Sequence, residues 1–260
     1  MKLDLSGKTA LITGASKGIG HSCALTLAEE GCNLHLAARN GEALAALKAE
    51  IDAEFDVSVT IHPADLSSAE AMIALDAAAG DYDILINNAG DIPAGTITDV
   101  SDEALRSGFE LKVFGYITLS RLFWQKRKGK PDSVIINVIG NSGENWDASY
   151  FAGSTGNASL MSFTKALGGR SLDEGIRVVG VNPGPVDTDR MFKIMKRKAI
   201  DMLGDESRWE ELYEKYPGKR PATAREVADL CAFLASPRAG YITGTVVTID
   251  GGISARGSVI

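Results

Sequence analysis

Between residues 9 and 90 the chain alternates, without interruption, between short apolar runs and amphipathic ones. TALIT (9–13) reads as a strand, GASKGIG (14–20) as a glycine-rich turn, and HSCALTLAEEG (21–31) as a helix stopped by Gly31. NLHLAA (33–38) is a second strand, GEALAALKAEIDAEF (41–55) a second helix, and VSVTIHPAD (57–65) a third strand. SAEAMIALDAAAG (68–80) is helical, and DILINNAG (83–90) is a fourth strand ending in a polar turn. Near-continuous apolar strands, each followed by one helix, bury both faces in a parallel sheet covered on both sides. The rhythm continues through 102–128 (helix), 133–139 (strand), 152–172 (helix), 176–182 (strand), 224–236 (helix) and 245–250 (strand). No linker, repeat or low-complexity segment breaks it, so the 260 residues are expected to form a single α/β, Rossmann-type doubly wound domain.

One segment departs from the rhythm. Residues 187–221 lie between a strand and the next helix and are far longer than an ordinary connection. Such an excursion is expected to be a substrate lid; the plainer alternative is a helical pair covering the sheet or a subunit interface. The net charge of −7 argues against a nucleic-acid partner, whose binding face is basic. The cysteines, Cys23, Cys32 and Cys231, are scattered and form no CxxC, so neither a disulfide framework nor a metal site is indicated. Asp4 stands where a signal peptide would be apolar, and no run approaches the ~18 apolar residues of a membrane helix. A soluble, cytoplasmic protein is the expectation.

A glycine-rich turn after the first strand and opening a helix is where dinucleotide folds hold phosphate. Glycines let the backbone approach the pyrophosphate, and the helix N-terminus supplies N–H donors and positive dipole. Here the turn carries Gly14, Ser16, Lys17, Gly18, Ile19 and Gly20, a spacing that differs from G-x-G-x-x-G. It is joined, in order and at strand ends, by NNAG (87–90), by the PG-x-x-x-T of PGPVDT (183–188) and by YITGTVVTIDGG (241–252). Together these motifs closely resemble the short-chain dehydrogenase/reductase family, over essentially the whole chain. The resemblance implies a seven-stranded parallel sheet with a nicotinamide cofactor across its C-terminal edge. It also implies that Asn88, Ala89 and Gly90 border the riboses, that Pro183, Gly184, Val186 and Thr188 meet the carboxamide, and that Asp65 and Leu66 flank the adenine.

An NAD site normally places a carboxylate at the end of the second strand, accepting from the ribose 2′-OH. That strand ends here in Ala38, Arg39 and Asn40, with no acid in position. Arg39 can pair with a 2′-phosphate, and Lys17 lies on the same side, so NADP(H) is preferred over NAD(H).

In the family a tyrosine exchanges a proton with the substrate oxygen. A lysine four residues later lowers its pKa, a serine orients the substrate, and an upstream asparagine holds a relay water. The resemblance places these at Gly153, Asn157, Gly140 and Lys112, so all four side chains are replaced in this chain. Aligning Tyr150 as the tyrosine instead puts Ser154 at the lysine position. It also demands a three-residue insertion inside a helix, turning everything downstream by about 300°; that alignment is rejected. Position in space is a separate matter: Tyr150 precedes Gly153 by one turn, and the room left at Gly140 and Gly153 admits its ring.

The candidate catalytic residues are therefore Lys112, Tyr150, Ser142 and Asn157. Lys112 can polarise a carbonyl, depress the pKa of Tyr150 or bind a substrate carboxylate; the alternative is a lysine that snorkels to the surface. Tyr150 is a proton donor or a packing residue. Ser142, with Asn141, can orient a substrate oxygen, and Asn157 keeps a neutral hydrogen bond toward the ribose. His35 and His62 fall in strands and are expected to be structural.

Three functions compete. The first is an NADP(H)-dependent oxidoreductase acting on an apolar carbonyl or alcohol with a non-standard proton donor. The second is an NADP(H)-binding sensor whose chemistry is lost, and the third a lyase or isomerase that keeps the cofactor site. Trp146, Phe151, Met191, Phe192, Met195 and Trp209, in the two segments expected to wall the substrate, favour the first. With Lys193, Lys196, Arg197 and Lys198 nearby, they suggest an apolar or aromatic small-molecule substrate that can bear an anionic group; the plainer alternative is a solvated charged helix face. Family resemblance also implies a homotetramer, or at least a homodimer.

Overall fold

The computed structural model describes residues 1–256, apart from the side chain of Arg190. Seven strands form one parallel sheet: β1 (Thr9–Thr13), β2 (Asn33–Ala38), β3 (Val59–Pro63), β4 (Ile84–Asn87), β5 (Ser133–Val138), β6 (Ile176–Pro183) and β9 (Thr245–Ile249). Their order is β3-β2-β1-β4-β5-β6-β9. The succession reverses between β1 and β4, and that switch opens a crevice at the carboxyl ends of the strands. The central runs SVIINV and IRVVGVNP are buried along their whole length, as apolar strands covered on both faces must be.

Helices α1 (Gly18–Glu29), α2 (Gly41–Glu54) and α8 (Ala224–Ala235) cover one face. Helices α3 (Ala69–Ala79), α5 (Gly115–Arg127) and α6 (Phe151–Gly168) lie on the other, and α4 (Asp102–Phe109) leads into α5. Their starts follow the local sequence. Asn40, Ser68 and Ser101 each accept from a main-chain N–H three residues on, and Thr223 with Glu226 forms a capping box.

Two elements differ from the sequence reading. The helix expected over 102–128 is continuous in path but opens into a π turn at Glu110–Phe114. Residues 108 and 115 bracket it as glycines, each pressed against a different neighbour: a Cβ at Gly108 would lie 2.9 Å from Pro93 Cδ, and one at Gly115 2.8 Å from Met72 Cε. A single widened turn leaves no mark in a 3.6-residue periodicity. The helix expected over 152–172 begins at Phe151 and ends at Gly168, and a 3₁₀ turn follows at Ser171–Glu174.

Residues 187–221 leave the sheet after β6 and return beside their starting point. Two-residue strands β7 (Val186–Asp187) and β8 (Ala222–Thr223) pair in parallel at the base. Between them run α7 (Asp189–Leu203) and a 3₁₀ stretch, Glu206–Lys215. Met195, Ala199 and Leu212 are buried at its centre, with Met191, Trp209, Tyr213 and Tyr216 packed around them. This small core is separate from those of the main sheet. Among the described residues no helix is long and apolar enough to cross a membrane.

Candidate active site

The crevice is built from the loops after β1, β2, β4, β5 and β6. At the first, the backbone is left-handed at Gly14 (φ +68°) and Gly18 (φ +57°), where a side chain is strained. A Cβ at Gly20 would overlap the carbonyl oxygen of Gly14, so the turn closes only with glycine there. The NNAG turn fastens to it. Asn88 Nδ2 donates to the carbonyls of Thr13 (3.1 Å) and Gly14 (3.2 Å), and the Asn88 and Ala89 N–H groups donate to Thr13 Oγ1. The Asn88 side chain thus shapes the phosphate turn. Helix α1 starts with Lys17 in an extended N-cap conformation, without a capping side chain or an acidic residue in its first turn. Its leading N–H groups and dipole are therefore not met by a side chain of the first turn. Ser16, Gly18 and Ile19 are half-buried around this opening, and Lys17 is exposed.

At the end of β2, Arg39 is exposed and its Nη2 stands 3.8 Å from Asp91 Oδ2. Asn40 is occupied as the cap of α2. Asp65 is exposed and accepts from Ser67 N (3.1 Å), shaping the loop after β3, while the Leu66 side chain is buried in the core. After β6, Pro183 closes the strand, Gly184 N donates to Ile249 O (3.0 Å), and Val186 is buried. A Cβ at Gly184 would lie 2.6 Å from Asp250 Cβ. Thr188 caps α7, accepting from Met191 N, and its methyl group would stand 3.2 Å from a Cβ at Gly18. The loops after β1 and β6 meet across the crevice at this contact.

Lys112, Ser142 and Asn157 lie at the ends of β4 and β5, and the ring of Tyr150 lies on the first turn of α6. Lys112 lies in the π turn, a helical distortion that recurs at functional sites. Its stem crosses Gly90, where a Cβ would be 2.9 Å from Lys112 Cδ, and its ammonium donates to the carbonyl of Ile139 at 2.6 Å. Tyr150 is the residue before α6, with φ −141°, so it stands outside the helix. Its ring lies on Gly153: a Cβ at 153 would run into Tyr150 Cε1 and Cζ. Asn157 is buried and donates through Nδ2 to Ser142 Oγ (2.8 Å), passing over Gly140, where a Cβ would be 2.8 Å from the same nitrogen. Gly140 has φ +132°. Asn157 Oδ1 has no hydrogen-bond partner among the described residues. The amide nitrogen is thus taken up by Ser142, and Oδ1 is left as the acceptor of that side chain.

Polar groups beside these complete the floor, among them Asn141, expected from the sequence, and Glu144 and Asp250, which were not expected. Glu144 Oε1 accepts from Asn182 Nδ2 (3.2 Å) and from the Thr248 hydroxyl. Asn141 Nδ2 donates to Asp250 Oδ2 (3.2 Å). Burial pushes the Asp250 carboxyl up, but hydrogen bonds from Ser254, Asn141 and Gly252 outweigh it and hold the group below the usual carboxylate range. Glu144 lies 104 residues from Thr248, and nothing in a single sequence joins them.

The expected apolar wall needs correction. Met191, Met195 and Trp209 form the inner core of the 187–221 excursion, and Met195 is 1% exposed. Phe192 stacks edge-on to Trp209 at 5.0 Å, and Trp146 is exposed with its indole N–H on Gly143 O. Of the basic residues, Lys196 pairs with Glu206 and Arg197 with Asp201. His35 and His62 form a pair of their own on β2 and β3, Nδ1 to Nε2 at 2.9 Å. Among the described residues no group of three or more His, Cys, Asp or Glu side chains could hold a metal.

A dinucleotide fits the residues present. The turn carries no side chain at residues 14, 18 and 20, α1 presents an N-terminus without a side-chain cap, and Arg39 adds an exposed cation at the end of β2. Fold and crevice together define a Rossmann-type dinucleotide-binding protein. A family model described as enoyl-(acyl carrier protein) reductase matches residues 14–254. The chain is 32% identical to the NADPH-dependent reductase BacG of Bacillus subtilis (strain 168), over 95% of this chain and 98% of that one. It is also 32% identical to the 3-oxoacyl-[acyl-carrier-protein] reductase FabG of Vibrio cholerae, over 96% and 99%. Among solved structures, L-sorbose reductase from Gluconobacter frateurii, complexed with NADPH and L-sorbose, superposes with a TM-score of 0.89. It shares 31% identity, over 98% of this chain and 99% of that one. The chain belongs to the short-chain dehydrogenase/reductase family of NAD(P)-dependent oxidoreductases.

Proposed function

We propose that the protein is an NADP(H)-dependent oxidoreductase for an apolar carbonyl or alcohol, with Tyr150 and Lys112 as its proton-handling pair. The observation that carries this reading is the seat of the Tyr150 ring, in the space that opens where residue 153 has no side chain. Gly14, Ser16, Lys17, Gly18, Ile19 and Gly20 would hold the pyrophosphate, and Arg39 the 2′-phosphate, with Asn40 and Asp65 beside it. Ala89, Gly90, Pro183, Gly184, Val186 and Thr188 would line the nicotinamide half. Bound there, the nicotinamide supplies or accepts a hydride.

The chain's own part is orientation and proton transfer. The Tyr150 hydroxyl gives a proton to the developing alkoxide in reduction and takes one in oxidation. The Lys112 ammonium, held half-buried by Ile139 O, stabilises the negative charge on that oxygen. Ser142, fixed by Asn157, offers its hydroxyl to the substrate. The 187–221 excursion, anchored through Thr188 beside the glycine turn, serves as the lid that excludes water. The reductase names of the relatives and the NADPH bound in the sorbose reductase structure support this reading.

A panel of ketones, quinones and activated alkenes with NADPH tests it, using wild type, Tyr150→Phe and Lys112→Met. Tyr150→Phe is expected to lower kcat by roughly 10²-fold or more, as loss of a positioned acid does. Turnover unaffected by both substitutions removes the proton roles proposed. A second reading, an NADP(H)-binding protein without redox turnover, is favoured by one observation: Lys112 and Asn157 are both engaged within the chain. Tight NADPH binding without turnover across the panel would select it.

A further inference from the structure

An NAD site needs a carboxylate within reach of the adenosine ribose, and β2 ends without one. A carboxylate reaches the same groove from another strand. Asp91 follows directly on the Asn88–Gly90 turn after β4, and its Oδ2 lies 3.8 Å from Arg39 Nη2. In the order β2-β1-β4 the two residues flank β1, so their pairing spans the glycine turn in which the phosphates would lie. The side chains are 65% and 67% exposed. At that separation the contact is a loose ion pair without a directed hydrogen bond, and such pairs are weak and screened by salt. A phosphate group, which takes the guanidinium fork in two parallel hydrogen bonds, is the stronger partner and displaces Asp91 from Arg39.

We propose that Asp91 is a cofactor-specificity residue that competes with the 2′-phosphate of NADP for Arg39. When a 2′-phosphate is present, Arg39 must leave Asp91 to meet it, and the cost of breaking that pair is taken from NADP affinity. When the ribose carries a free 2′-hydroxyl, the Asp91 carboxylate accepts from it, the role that a carboxylate at the end of β2 usually fills. One acid–base pair thus sets the ratio of the two affinities. The inference rests on the reading of Arg39 as the 2′-phosphate partner.

The test is a set of NADPH and NADH dissociation constants for the full chain. It covers wild type, Asp91→Asn, Arg39→Ala and the double variant, at low and at physiological ionic strength. Asp91→Asn is expected to tighten NADPH roughly three- to tenfold at low salt and less at high salt, and to weaken NADH. In the Arg39→Ala background the same change is expected to fall below about twofold, the signature of coupled residues. Arg39→Ala itself is expected to weaken NADPH by about tenfold or more. If Arg39→Ala weakens NADPH but Asp91→Asn changes nothing, the role of Asp91 is lost and that of Arg39 stands. The role of Asp91 is equally lost if Asp91→Asn tightens both cofactors alike, or if its gain persists undiminished in the double variant. If Arg39→Ala leaves NADPH binding untouched, the Arg39 reading fails and this inference fails with it.

Discussion

The ring of Tyr150 rests on the α-carbon of Gly153, filling the volume in which a side chain at 153 would begin. The two positions are three residues apart, yet only one of them can carry bulk. The glycine is what allows the tyrosine to fold back over the first turn of α6 from its place outside the helix.

Gly153→Ala therefore separates function from stability. Alanine is the better helix former by about 1 kcal/mol, but its methyl group collides with the ring and evicts it. The expected outcome is a folded protein, with Tm within a few degrees of wild type, whose NADPH-dependent turnover falls by roughly 10²-fold. Thermal unfolding and a steady-state assay on the same preparation check it. Undiminished turnover would show that the seat of Tyr150 is irrelevant to the chemistry.

Ser142→Ala strips the partner from a buried amide. Asn157 is 3% exposed, and its Nδ2 donates to Ser142 Oγ across Gly140. An unsatisfied buried donor costs about 1–3 kcal/mol, expected as a clear fall in Tm. Ser142→Thr, which keeps the hydroxyl, is expected to recover part of it. Equal melting of Ser142→Ala and wild type would contradict this account.

The His35–His62 pair makes stability depend on pH. Burial, and for His35 the proximity of His62, lower both pKa values below 6.5. Below pH 6.5 the unfolded chain takes up protons that the folded pair refuses, so stability falls as pH drops from 6.5 through the lowered values. Above about pH 7.5, where the unfolded histidines are neutral as well, the pair adds no pH dependence. His62→Gln is expected to flatten the Tm profile between about pH 5 and 7. An unchanged slope would show that the pair is not responsible.

Trp209→Ala tests the excursion between β7 and β8. Trp209 meets Phe192 and Tyr213 edge-on, inside a core that the main sheet does not share. The substitution is expected to raise KM for the carbonyl substrate about tenfold while leaving the NADPH dissociation constant within twofold. Loss of NADPH affinity instead would mean that the excursion supports the cofactor groove.

Much of the fold was legible because strand burial and helix periodicity are local. SVIINV and IRVVGVNP are apolar along their length because both faces are covered. The glycines at 140 and 153 pointed to vacant space, and the structure fills it with Asn157 and Tyr150. Other features depend on tertiary contact. Periodicity shows that Met195 and Trp209 are apolar, but not which neighbour their face meets; they turned inward to each other's helices. The π turn at Lys112 and the Glu144–Thr248 contact arise from packing between distant segments. Local propensity carries no trace of either.

The two-residue ladder of β7 and β8 brings residues 186 and 222 side by side, with a self-contained core beyond them. A change in the length or packing of that segment can therefore be absorbed beyond the ladder, with the strands of the main sheet left in place.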